Sequence, residues 1–114
     1  MMTILLLIAV LLLAACGGGD ITEGLSGDQL AGEVGCLACH TDRDTSAAPS
    51  VVGIWGTDVQ LADGRSVTVD DAYVRRSITE PGADVVEGYN PIIPTLPLTD
   101  DEVDRLVDWV RSLE

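Results

Sequence analysis

The chain of 114 residues has no lysine, no phenylalanine and one histidine, and its only methionines are the first two residues. Six arginines stand against nineteen carboxylates, so the net charge is −13. That balance leaves no basic patch with which to grip a phosphate backbone, which argues against a nucleic-acid partner. It also sets the chain against anionic lipid, so any attachment to a membrane must be other than electrostatic. An acidic surface is instead steered toward a basic docking surface on a protein partner. Long apolar runs are also scarce. The one present covers residues 4–15, and at ~1.5 Å per residue it falls well short of the ~30 Å of a bilayer core.

A run of that length suits the apolar region of an export signal. It ends in Leu13-Ala14-Ala15-Cys16, the arrangement of a bacterial lipoprotein processing site, in which the cysteine is lipidated and becomes the mature N-terminus. No Lys or Arg precedes the run, so only the α-amine supplies positive charge. The bland alternative is an ordinary cleaved signal with a coincidental cysteine. Gly17, Gly18 and Gly19 then read as a flexible tether. The expected organisation is a signal peptide over 1–15, a tether over 16–24 and one domain over 25–114. A domain of this size has a modest core and gains from a large buried cofactor.

Within that domain Ser26 and Gln29 have capping-box spacing ahead of a short helix carrying Leu30 and Val34. Val59-Gln60-Leu61 and Val67-Thr68-Val69 alternate as strands around an Ala62-Asp63-Gly64 turn. Asp70 is placed to cap a second helix with Tyr73, Val74, Ser77 and Ile78 on one face, stopping before Pro81. Four prolines between 81 and 97 predict a loop. Thr99 and Glu102 predict a second capping box, opening an amphipathic terminal helix with Val103, Leu106, Val107, Val110 and Leu113 on its apolar stripe and Trp109 at the edge.

The chemistry-bearing segment is Cys36-Leu37-Ala38-Cys39-His40, the Cys-x-x-Cys-His signature of covalent haem c. Cysteines three apart on a helical turn face one side, where their sulfurs can add to the two vinyl groups of one porphyrin. The next residue then sets its imidazole under the iron, and His40 has no competitor as that ligand. Other uses of the trio fit less well. Zinc needs a fourth ligand or an open position backed by three, a thioredoxin-like pair needs a βαβ setting, and a disulfide across two residues is strained. Haem c also fits an exported chain, because the haem is attached outside the cytosol. With Cys16 at the processing site, all three cysteines are assigned.

Residues 25–113 resemble class I cytochromes c, most of all the haem domain fused to bacterial cytochrome c oxidase subunit II. Besides the attachment segment, Ala48-Pro49-Ser50-Val51-Val52-Gly53-Ile54-Trp55-Gly56 is similar to the stretch after the haem-binding turn, residues 61–73 to the hairpin and helix of the oxidase domains, and residues 98–113 to the terminal helix. The resemblance implies an all-α, small cytochrome c fold around one covalent haem, with a short β-hairpin as an insertion. It also implies that the Pro49 carbonyl accepts the proton of the proximal imidazole, which would orient the ring and raise its basicity. The oxidase subunit's copper domain and membrane helices have no counterpart here.

One position departs from the family. The distal ligand there is a methionine, in a segment matched here by Gly88-Tyr89-Asn90-Pro91-Ile92-Ile93-Pro94. Ile93 stands at the ligand position and cannot bond iron. Its expected role is an apolar plug over the distal face. The iron is then five-coordinate or water-bound, or takes an oxygen such as that of Tyr89. The expected function is electron transfer by a membrane-tethered haem protein of a respiratory chain, on the extracytoplasmic side, with redox proteins as partners and no enzymatic activity. The alternative is a gas- or peroxide-binding haem protein. A distal segment without His, Asp or Glu argues against peroxidase chemistry. A third reading is a decayed cytochrome that keeps haem with little redox role.

Overall fold

A computed structural model describes residues 21–90 and 92–114. The expected signal peptide, Cys16 and most of the tether lie outside the described residues, as does Pro91. No helix among the described residues is long and apolar enough to cross a membrane.

The described chain runs α1 (Gly27–Glu33), a 3-10 turn (Cys36–Ala38), β1 (Asp58–Gln60), β2 (Ser66–Thr68), α2 (Asp71–Thr79) and α3 (Asp100–Arg111). The helices start where local chemistry starts them. Ser26 and Gln29 form a reciprocal capping box at α1, and Thr99 and Glu102 do the same at α3. The Asp70 carboxylate accepts from the Tyr73 amide, 2.9 Å away, at the start of α2. That helix ends at Thr79, two residues before Pro81.

The expectation of an all-α cytochrome c fold with the hairpin as an insertion is overturned. The described residues form a small mixed fold of three α-helices and a two-stranded antiparallel sheet. The helices are short, at seven, nine and twelve residues, and the hairpin belongs to the core. Val59 pairs with Val67. Leu61 and Val69, just beyond the strand ends, are among the most buried side chains of the molecule. Each strand starts one residue earlier than expected, because Leu61 closes the turn by donating its amide to the Arg65 carbonyl. Leu61 also forms an isolated bridge to Val86, and the Ala62 and Glu87 amides donate to the Val85 and Gln60 carbonyls. The hairpin thereby ties down the chain that leads into residues 88–93.

Two clusters fill the interior. Val69, Val74, Val103, Val107 and Val110 make one, and Leu30, Ala31 and Leu106 the other. Trp109, at the edge of the stripe, packs against both and so serves as core. Helix α1 crosses α3 at Gly27, where a Cβ would sit 2.4 Å from Trp109 Cβ and 2.6 Å from the Arg105 carbonyl oxygen. Only a residue without a side chain permits that approach. The chain entering α1 is fastened to α3 as well. Arg105 Nη1 donates to the carbonyls of Thr22 and Leu25, and the Thr22 hydroxyl donates to the Glu102 carboxylate. The described chain is thus fastened to α3 from Thr22 onward.

Candidate functional site

The attachment segment follows directly from the end of α1. Gly35 takes a left-handed conformation with φ of +90°, which an L side chain adopts only under strain. This reverses the chain into the 3-10 turn. The Ala38 amide then donates to the Gly35 carbonyl at 3.2 Å, and both Cys39 and His40 donate to the Cys36 carbonyl, at 3.3 and 2.9 Å. Those bonds hold Cys36, Cys39 and His40 on one turn. Both cysteines are free thiols and half-buried. Burial pushes the Cys36 thiol above its ordinary range, with its own backbone amide opposing. A protonated thiol is a poor metal ligand and a poor exchange nucleophile. Among the described residues, no three His, Cys, Asp or Glu side chains come together to hold a metal ion.

His40 Nδ1 lies 2.9 Å from the Pro49 carbonyl oxygen. A carbonyl only accepts, so Nδ1 carries the proton and the lone pair is on Nε2. The imidazole is therefore held in the tautomer that can donate an electron pair through Nε2.

The carbonyl is itself braced by residues the sequence reading passed over. The Thr45 amide donates to the Ala48 carbonyl at 3.0 Å, and Thr45 Oγ1 accepts from the Ala47 and Ala48 amides. Asp44 Oδ1 accepts from the Ser50 amide at 2.8 Å. Ser50 Oγ donates to the Thr41 carbonyl and accepts from the Val52 amide. The run of Thr, Asp and Ser between 41 and 50 carries the signal, since such side chains bond neighbouring backbone in turns.

Beside Pro49 lies a cleft of about 390 Å³, with Val52, Ile54, Val59, Val86 and Tyr89 among its walls. That volume is within the ~300–1,000 Å³ of small-molecule sites. Two free thiols on one turn and an imidazole with its lone pair on Nε2 are the groups that would hold a covalent haem c; the cleft beside Pro49 is lined by polar side chains such as Asp44, Gln60 and Glu87 as well as apolar ones, and by none of those three residues. Ile93 is not among the cleft's lining residues and is 44% exposed. Tyr89 does line the cleft, together with Pro49. Cys16 lies outside the described residues.

No known family model matches the chain, and no curated protein matches it either.

Proposed function

We propose that this chain is an exported haem c electron-transfer protein, tethered to the extracytoplasmic side of a membrane by lipid on Cys16. Its partners are redox proteins of a respiratory chain, and it acts as a carrier rather than an enzyme. The observation that carries the reading is the bond from His40 Nδ1 to the Pro49 carbonyl, next to two free thiols on the same turn. Thiol exchange and a local disulfide make no use of an imidazole held in that tautomer, and the Cys-x-x-Cys-His spacing on one turn favours haem c over a zinc site, which would need a further ligand.

In this reading Cys36 and Cys39 would hold the porphyrin as thioethers, and His40 Nε2 would be the nitrogen offered to the iron. The Pro49 carbonyl keeps the imidazole from rotating and makes it a better donor. Bound haem supplies one-electron iron chemistry at neutral pH. The loop braced by Asp44, Thr45 and Ser50 keeps that carbonyl in place and so fixes the orientation of the His40 ring. The acidic surface steers the domain to a basic partner, and its association slows as salt rises.

The test is expression of the full chain with a haem c maturation system. Mass spectrometry should find one porphyrin that survives acid–acetone extraction and is lost in the Cys36→Ser, Cys39→Ser double variant. Haem retained through extraction by that variant refutes the attachment. Detergent partitioning and acyl chains on Cys16 test the tether, and complete recovery as a soluble protein with an unmodified N-terminus refutes it.

A further inference from the structure

We infer that the haem of this protein has an exchangeable sixth axial position, open in the ferrous state to a small neutral π-acceptor such as carbon monoxide or nitric oxide. This rests on the haem c reading above and adds the class of ligand.

The donor inventory is short. Ferrous haem iron holds nitrogen and soft sulfur donors best. After residue 20 the chain has no methionine, no lysine and one histidine. His40 turns Nδ1 to the Pro49 carbonyl and has only Nε2 to give. Cys36 and Cys39 share its turn and, in the haem c reading, are spent on the porphyrin as thioethers. Arginine and tryptophan nitrogens carry no available lone pair. No nitrogen or sulfur donor among the described residues remains for the opposite side.

What remains is oxygen. The cleft beside Pro49 is lined by the Tyr89 phenol and by the carboxylates of Asp44 and Glu87. Tyr73, the other phenol, packs against the valine cluster between α2 and α3. Oxygen anions are hard donors that favour ferric over ferrous iron, so reduction weakens whatever hold they have. The segment after Pro91 adds nothing, since residues 92–98 are Ile, Ile, Pro, Thr, Leu, Pro and Leu. Charge then selects among exogenous ligands. The chain's net charge of −13 disfavours anions and leaves uncharged diatomics unopposed.

The experiment uses the full-length, haem-loaded protein, with covalent haem verified first by mass spectrometry. Absence of attached haem at that step defeats the haem c reading itself and leaves the ligand question behind. With haem attached, the dithionite-reduced protein should show a five-coordinate high-spin spectrum. Carbon monoxide should then bind at a rate proportional to its concentration, so that doubling the gas doubles the rate with no plateau. A six-coordinate low-spin ferrous spectrum overturns the inference. So does a binding rate that saturates, because a protein ligand must then leave first. Tyr89→Phe and Glu87→Gln should leave the ferrous spectrum and the carbon monoxide rate unchanged. A change of spin state in either would assign the sixth position to that side chain and refute the open site.

Discussion

Replacing Gly27 by alanine should break the crossing of α1 over α3. The added methyl would lie 2.4 Å from Trp109 Cβ and 2.6 Å from the Arg105 carbonyl oxygen, against the ~3.5–4.0 Å of ordinary carbon contacts. Neither atom is the free end of a flexible side chain. One is backbone of α3, and the other is the root of a tryptophan packed into both clusters. Relief therefore requires the helices to separate. Overpacking of this kind costs up to about 3 kcal/mol. Alanine's better helix propensity returns roughly 0.5–1 kcal/mol. The net loss is about 2 kcal/mol, or roughly 8–16 °C in Tm for a domain of this size. Gly32 in the same helix is the control. Its added methyl would meet nothing nearer than Leu37 Cδ1, at 3.7 Å. Gly32→Ala should therefore stabilise by about 0.4–1 kcal/mol, through the unfolded chain. Thermal unfolding of both haem-loaded variants by far-ultraviolet circular dichroism decides the matter. An equal or higher Tm for Gly27→Ala would show that the helices do not cross there.

Three further outcomes are expected. Asp84, with its side chain 6% exposed, pairs with Arg65 at 2.7 Å and Arg76 at 3.4 Å. Asp84→Asn should cost about 1–2 kcal/mol given the half-exposed arginines, with the deficit in denaturant titrations shrinking at high salt. Burial pushes the Tyr73 phenol above its ordinary value of 10.0, while Ser77 lowers it and Asp84 raises it. The fold thus favours the neutral phenol, so this contribution is intact below pH 10 and is lost as pH rises through the raised value. Carbon-13 NMR of the labelled tyrosine should show the late titration, and a midpoint at or below the ordinary value would contradict it. Finally, Ile93→Met offers a thioether at little change in volume. It should convert the iron to a six-coordinate low-spin state and raise its potential, as read by optical redox titration. An unchanged spectrum would mean that residue 93 does not face the iron.

The features determined by sequence alone are those closed within a few residues. The capping boxes at Ser26 and Thr99, the Asp70 cap, the stop before Pro81 and the Cys36–His40 turn each depend on bonds spanning three or four positions. No rearrangement elsewhere needs to be known to foresee them. The lack of lysine and of any later methionine is likewise a property of the sequence, and it limits the donors whatever the fold. Tertiary structure decided what depends on chain segments meeting over a distance. The hairpin's weight in the core, which makes the fold mixed rather than all-α, came from Leu61 and Val69 being buried against other elements. The Asp84 pairs and the bond from Thr22 to Glu102, 80 residues apart, have no local signature. Such contacts form only after loop closure has been overcome by packing elsewhere, so no window of sequence contains the information that sets them.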